Sequence, residues 1–151
     1  MQNSSTTIRR FGRGIVVLAG AGALAAGALG ASGASAGGAS HTLKMTSVQF
    51  KDVMVNGVDV AADRDVQGGK TTGLDTTSCL INQKTFTATC DVALARADGL
   101  LYGHAVINVQ TGKGSGTVTG GTRAYKGSTG TISVAPGPNP NSPQITIVYR
   151  G

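Results

Sequence analysis

Glutamate is missing from this chain of 151 residues, in which all seven acidic residues are aspartate. Glutamate is a strong helix former, whereas the glycine, threonine and valine that are frequent here are not. No stretch beyond the N-terminal segment repeats its apolar residues with the 3.6-residue period of a helix. The composition therefore favours an all-β protein.

Clustered positive charge and aromatic residues are also scarce. Three of the 13 basic residues fall within the first 13 positions, and the other ten are scattered and outweigh the seven aspartates by three charges. Aromatic residues make up 4% of the chain. Nucleic-acid binding normally needs a basic patch, so we expect no nucleic-acid partner despite the calculated pI of about 9.8.

Metal-ligating residues are few. Besides Cys79 and Cys90 the chain has two histidines, His41 and His104, and their spacing matches no zinc module. The sequence predicts neither a metal site nor a cofactor.

A long, strongly apolar run is absent, but the N-terminus has the three parts of a secretory signal. Arg9, Arg10 and Arg13 are followed by an Ala/Gly-rich run over 14–30 and by the small-residue site Ala34-Ser35-Ala36. We expect a cleavable signal peptide over 1–36 and a single domain over 37–151, secreted and without a stable membrane anchor. General secretion is favoured over the twin-arginine route, because Phe11 directly follows the arginine pair.

The most regular strand pattern runs from Thr85 to Ala95, with Phe86, Ala88, Cys90, Val92 and Leu94 on one face. A preceding strand over 76–82 places Cys79 opposite Cys90 and Ile81 opposite Ala88, around a two-residue turn at Lys84-Thr85. Opposed strand residues are close enough for a disulfide, and an exported protein meets oxidising conditions. The sequence predicts a Cys79–Cys90 bond.

Other strands are predicted over 42–55, with an irregularity at Lys51-Asp52, and over 101–109, 116–119, 130–134 and 144–149. The polar, glycine-rich segment from Asp59 to Asp75 is interpreted as a long loop with at most one short strand. In the last strand Ile145, Ile147 and Tyr149 share a face. Several short strands separated by frequent turn signals are typical of a sandwich or barrel.

The segment from Val118 to Ile132 carries a glycine motif made of Gly120, Gly121, Tyr125, Gly127 and Gly130. Glycine supplies positive φ at a tight crossover, so the motif favours a structural turn in which Tyr125 plugs a barrel end. The same segment resembles the signature of the allene oxide cyclase and dirigent barrel superfamily, over roughly 79–149. Arg123 departs from the family pattern, where glycine is usual.

The resemblance implies an eight-stranded antiparallel β-barrel of the calycin type, which has room for one small hydrophobic ligand. Plant relatives cyclise an epoxide fatty acid with the help of a glutamate, or steer phenoxy-radical coupling. A cyclase or isomerase here would have to work without glutamate. Dirigent-like sites use aspartate, tyrosine and arginine, and the catalytic candidates of those types are Asp91, Tyr102, Arg123 and Tyr149. His104 and Asn108, which share a face of strand 101–109 with Tyr102, are further candidates.

Three functions stay open at this stage: a cyclase or isomerase, a lipocalin-like binder without chemistry, and a packed barrel with a surface role. The predicted ligand-facing residues are Phe86, Ala88, Val92, Leu94, Ile145 and Ile147. In strand 101–109 the apolar set that begins at Leu101 is favoured as the inward face over the set Tyr102, His104 and Asn108, because apolar alternation normally faces the core.

Overall fold

The computed structural model describes residues 38–139 and 141–151, which form a closed antiparallel β-barrel. Each strand pairs with the next along the chain, and the last pairs with the first. The strands are β1 (Ser40–Val55), β2 (Val58–Gln67), β3 (Lys70–Asn82), β4 (Thr87–Arg96), β5 (Gly99–Asn108), β6 (Lys113–Gly121), β7 (Thr129–Ala135) and β8 (Gln144–Arg150). The predicted all-β, eight-stranded barrel is confirmed.

Helical structure in the described part of the chain is limited to one 3-10 turn, Arg123–Tyr125. Over those same residues, no helix has the length and apolarity that a membrane crossing requires. The predicted signal peptide over 1–36 lies outside the described residues, as does Gly37.

The cysteine hairpin has the predicted register. Cys79 pairs with Cys90 and Ile81 with Ala88, and the two cysteines form a disulfide with their Cα atoms 4.0 Å apart. The turn is longer than predicted, because pairing stops at Asn82 and Thr87. The Asn82 side-chain oxygen accepts hydrogen bonds from the backbone N–H groups of Lys84 and Thr85 at 3.0 and 3.3 Å, which holds a four-residue turn.

The irregularity predicted near Lys51 is a β-bulge in β1. Its pairing with β2 shifts between Gln49 and Lys51 and leaves Phe50 unpaired. A bulge adds one residue to one strand and bends it. Beyond this bend β1 continues to Val55 and forms a long hairpin with β2. The Asn56-Gly57 turn closes this hairpin with positive φ at both residues, as a type I′ turn requires.

The prediction of a long loop over 59–75 is wrong. This segment forms all of β2 after Val58 and the first half of β3, joined by a two-residue turn at Gly68-Gly69 with φ of 55° and 78°. The strands were missed because their polarity is inverted: aspartates face the lumen, while Val60 faces solvent and is 42% exposed.

The two ends of the barrel differ. The connections β2–β3, β4–β5 and β6–β7 lie at one end, which Tyr125 closes, and the connections β1–β2, β3–β4, β5–β6 and β7–β8 lie at the other. At this second end the β7–β8 loop extends the wall, because Ser47 and Gln49 donate backbone hydrogen bonds to the carbonyls of Pro143 and Asn141. A buried apolar cluster that includes Leu94, Leu101 and Tyr125 fills the first end.

Candidate functional site

The barrel encloses a cavity of about 220 Å³ that extends from the packed end towards the opposite rim. Gln49, Asp59 and Asn141 line its outer part, and Asn141 is exposed. An empty apolar space of roughly 150 Å³ can hold a molecule the size of benzene. The cavity is therefore large enough for a ring-sized ligand entering from the rim.

One side of the cavity is aliphatic. Strands β4, β5, β7 and β8 contribute Val92, Leu94, Ala105, Ile107, Ile132, Val134, Ile145 and Ile147. Small residues make the space: Ala105 faces inward from the middle of β5, and the paired residue Gly116 has no side chain to add. A Cβ atom on Gly116 would collide with the His104 carbonyl and with Ala105, so this part of the wall cannot be filled without moving the backbone.

The closed end is built by the glycine motif. Gly120 and Gly127 have φ of 144° and 76°, and Arg123 has φ of 52°, a conformation that glycine adopts more easily. Arg123 itself is exposed at this end of the barrel. The turn directs Tyr125 inward, where it is 1% exposed. The motif therefore closes the barrel, as the turn interpretation predicted.

Tyr125 is held by two contacts. Its hydroxyl donates a hydrogen bond to Asp98 Oδ1 at 2.7 Å, and its ring packs edge-on against Tyr149 with the ring centroids 5.5 Å apart. Burial, reinforced by the hydrogen bond and negative charge of Asp98, raises the pKa of the Tyr125 hydroxyl. Tyr125 therefore stays neutral and acts as a hydrogen-bonded plug.

The other side of the cavity is acidic. Asp63 on β2 and Asp75 on β3 are directly paired, face the lumen, and are 8% and 7% exposed. The Ser47 hydroxyl donates a hydrogen bond to Asp75 Oδ2 at 3.2 Å, while Oδ1 of each aspartate is buried without a partner. Two buried carboxyls so placed are costly to ionise together.

The two carboxyls titrate near neutrality. Burial, followed by the negative charge of Asp75, raises the pKa of Asp63 to about 7. Burial, followed by the negative charge of Asp65, raises the pKa of Asp75 to about 6. Because neighbouring sites titrate as a coupled pair, the pair holds a proton at mildly acidic pH and can lose it at mildly basic pH.

A third carboxylate lies behind this pair. Asp65 is fully buried and neither of its oxygens has a hydrogen-bond partner. Burial raises its pKa, although the positive charge of Arg96 opposes the shift. Arg96 Nη1 is also buried without a partner. The Asp65 carboxylate packs over Gly73, where a Cβ atom would lie 3.1 Å from Asp65 Oδ2.

Metal binding has no support in this cluster. Within residues 38–139 and 141–151, no group of three or more histidine, cysteine, aspartate or glutamate residues is arranged to hold a metal ion. The aspartate carboxyls can transfer protons, form hydrogen bonds and attract a positive charge.

Of the six predicted ligand-facing residues, four line the cavity: Val92, Leu94, Ile145 and Ile147. Ala88 is buried on the inward face of β4, beyond the cavity lining. Phe86 was placed wrongly. It belongs to the longer hairpin turn with φ of 53° and is 45% exposed, because the Asn82 turn ends the pairing before this residue can enter the strand.

None of the six predicted catalytic candidates is among the described residues that line the cavity. The inward face of β5 is Leu101, Gly103, Ala105 and Ile107, as favoured, so Tyr102, His104 and Asn108 belong to the outer face. Val109 lies beyond the strand and is 46% exposed.

Four of the candidates, Asp91, His104, Asn108 and Tyr149, have structural partners. His104 Nδ1 and Asp91 Oδ1 are 3.0 Å apart on the outer surface. The Asn108 side-chain oxygen accepts hydrogen bonds from the backbone N–H groups of Gln110 and Thr111 in the β5–β6 turn. Tyr149 packs between His41 and Tyr125 at the closed end. The six candidates therefore do not form one site.

The buried aspartates were missed by reasoning from the sequence. The sequence does contain a signal for them. Asp59, Asp63 and Asp65 are an even number of positions apart, so they would share one face of a strand in the segment that begins Val58-Asp59-Val60. Such a period-2 arrangement of like charges indicates a strand with an acidic face.

Comparison with known proteins identifies the fold. No family model matches the chain, and no curated protein sequence matches it. Among solved structures, pyocyanin demethylase aligns with a TM-score of 0.62 and 17% identity over 72% of this chain and 99% of its own.

Two cyclases align as well. One is a nonspecific heme-binding cyclase that catalyses a [4 + 2] cycloaddition during neoabyssomicin biosynthesis. It aligns with a TM-score of 0.59 and 17% identity, and the alignment covers 73% of this chain and 64% of that protein. The Diels–Alderase AbmU from Streptomyces koyangensis aligns with a TM-score of 0.58 and 17% identity over 78% of this chain and 70% of its own. The chain therefore shares its barrel fold with these proteins, and these similarities do not single out the allene oxide cyclase or dirigent family.

Proposed function

We propose that this protein binds a small hydrophobic molecule inside its barrel. The observation that carries the proposal is the cavity of about 220 Å³, with an aliphatic wall contributed by four strands. Apolar surface removed from water stabilises a complex by about 25 cal/mol per Å², and a preformed cavity needs little reorganisation to receive its ligand.

A matched pair of substitutions tests this proposal. Ala105→Phe places a ring in the cavity, whereas Val106→Phe places the same ring on the outer face one residue further along β5, where Val106 is 45% exposed. We expect the affinity for 1-adamantanol, a compact neutral probe, to fall at least about tenfold in Ala105→Phe and to change little in Val106→Phe.

Isothermal titration calorimetry measures both affinities, and circular dichroism with thermal melting verifies that each variant is folded. Equal affinity in the two folded variants, or no saturable binding of the probe to the wild type, contradicts a lumen site. Ala61→Leu, with Ala62→Leu as its outward-facing control on β2, fills the same cavity from the opposite side.

A second candidate, a cyclase or isomerase, is favoured by the acidic wall. A carboxylic acid whose pKa is about 7 is protonated often enough near neutral pH to act as a general acid. Asp63 would hold such a proton at the polar side of the cavity, and no glutamate would be needed. Two of the solved structures of this fold are cyclases. The glycine motif supports, as part of the same proposal, a closer relationship to allene oxide cyclases and dirigent proteins.

We further propose that the protein is secreted after removal of residues 1–36. The signal-like N-terminus motivates this, and the Cys79–Cys90 disulfide supports it, because disulfides persist in oxidising compartments. Intact-mass analysis of the protein recovered outside the cells is expected to show a chain that starts at Gly37 and is two hydrogens lighter than its reduced form. A retained N-terminus, or two free thiols, would contradict the proposal.

A further inference from the structure

The lumen has a strongly asymmetric distribution of charge. Three aspartates line it, Asp59 near the rim and Asp63 with Asp75 at mid-depth, and Asp65 is buried behind them. No lysine or arginine lines the cavity in the part of the chain that the structure describes. Arg96 is close enough to the cluster for its positive charge to lower the pKa of Asp65.

The acidic wall also has few hydrogen-bond donors: the Ser47 hydroxyl donates to Asp75 Oδ2. Asp63 and Asp75 line the cavity, are more than nine-tenths buried, and each keeps one oxygen without a partner. Buried polar groups are normally satisfied, so two unpartnered oxygens on side chains that line a cavity call for an explanation. The two carboxyls are direct neighbours across β2 and β3 and share a hydrogen bond when one of them is protonated. A donor supplied by a ligand can take the place of that shared proton.

We propose that the lumen selects a hydrophobic amine, with its aliphatic body against β4, β5, β7 and β8 and its ammonium group between Asp63 and Asp75. The inference rests on the proposed lumen site and specifies its ligand class. An ammonium group carries three donors and no acceptor, which suits a wall that offers acceptors. A hydrophobic carboxylic acid would instead bring a further negative charge beside four aspartates.

Proton linkage follows from this arrangement. The groups that act on the pair are the Ser47 hydroxyl on β1 and Asp59 and Asp65 on β2. Arg96 on β4 acts on Asp65, and Gln49 on β1 lines the same cavity. Burial and mutual repulsion raise the pKa values of Asp63 and Asp75 to about 7 and about 6. An ammonium ion favours the ionised carboxylates, so its binding releases protons between pH 6 and 7, and lowering the pH to 5 weakens it.

Three probes that share one hydrocarbon cage separate charge from shape: 1-adamantylamine, 1-adamantanol and adamantane-1-carboxylic acid. At pH 8 the amine is expected to bind the wild-type protein roughly 10- to 100-fold more tightly than the alcohol, the range for hydrogen bonds to charged groups. The acid is expected to bind most weakly. At pH 5 the ratio of amine to alcohol affinity is expected to approach one.

The double substitution Asp63→Asn with Asp75→Asn removes the two charges and nearly preserves side-chain shape. We expect it to abolish the preference for the amine while the alcohol still binds. The control is Asp91→Asn, which removes a carboxylate that is 84% exposed on the outer surface and should leave the preference unchanged. Calorimetry in two buffers of different ionisation enthalpy counts the protons released on amine binding.

Each outcome decides between the two proposals. If the alcohol binds in the lumen but the amine has no advantage at pH 8, or if the advantage survives in the double variant, the selection of amines is refuted and the lumen site stands. If the alcohol binds more tightly than the amine at every pH, the protonated aspartates donate a hydrogen bond to a neutral ligand, and the amine proposal fails. If no probe binds, both proposals fail.

Discussion

Replacing Tyr125 with alanine is expected to lower the free energy of unfolding by about 3–5 kcal/mol, the range for truncating a buried aromatic residue. Tyr125 is 1% exposed, closes one end of the barrel and contacts Tyr149 edge-on. Removing its side chain leaves a cavity, and the backbone of the glycine turn cannot move in to fill it. That backbone is already tightly packed: a Cβ atom on Gly121 would lie 2.7 Å from the Tyr125 carbonyl oxygen. Urea unfolding followed by circular dichroism measures the change.

Two further variants separate the ring from its hydroxyl. Tyr125→Phe keeps the ring and loses the 2.7 Å hydrogen bond to Asp98, for which we expect a loss of about 1 kcal/mol. Tyr102→Ala removes a tyrosine on the outer face that is 37% exposed, and it should cost about 1 kcal/mol or less. A loss for Tyr125→Ala no larger than that for Tyr102→Ala would show that Tyr125 does not close the barrel.

The acidic wall should make the protein more stable at pH 5 than at pH 8. Asp63 takes up its proton below about pH 7 in the folded chain but only below about 3.8 when unfolded, and the corresponding values for Asp75 are about 6 and 3.8. Between pH 4 and 7 the folded state therefore binds more protons. The stability of the folded state therefore rises as the pH falls through this window. Above pH 7 both carboxyls are ionised, and the folded state bears the full free-energy cost of burying them.

Asp63→Asn should remove much of this penalty. We expect the variant to be more stable than the wild type by roughly 2 kcal/mol at pH 8, since one pKa unit corresponds to about 1.4 kcal/mol and the open rim lets water screen part of the effect. The difference should shrink towards pH 5, where the wild-type carboxyl is already neutral. Melting curves from pH 4 to 8 test both statements.

Asp52→Asn is the control for the pH experiment, because Asp52 is exposed and its removal should not change the slope of stability against pH. A wild-type protein that loses stability steadily between pH 8 and 5 would contradict the buried, protonated pair. So would an Asp63→Asn variant that follows the wild-type pH profile. Either result would mean that the carboxyls are solvated and ionised in the folded protein.

Much of the barrel could be predicted from local pattern. Alternation located β1, β4, β5 and β8, and the spacing of Cys79 and Cys90 set the register of their hairpin, because opposed residues of an antiparallel pair share a face. The glycine motif located the closed end, since positive φ at Gly120 and Gly127 depends on residue type more than on tertiary context. These features are determined by interactions between residues that are close in sequence.

The length of the β3–β4 turn was misjudged for a local reason. The Asn82 side chain competes with strand pairing by binding the backbone of Lys84 and Thr85. It moves Phe86 out of the strand and into solvent, although the alternation of the following residues continues unchanged.

The candidate site was decided by the tertiary structure. A period-2 pattern divides a strand into two faces but does not state which face lies inside, and on β2 the acidic face is inside while Val60 is exposed. The closed barrel brings Asp63, Asp65 and Asp75 together on adjacent strands, where burial and neighbouring carboxyls raise their pKa values. The sequence by itself determined the disulfide, the glycine turn and the strands other than β2 and the first half of β3. Only closure of the barrel determined the acidic wall. These carboxyls can be buried because they are protonated, and their protonation depends on neighbours on adjacent strands, which the pattern within one strand does not show.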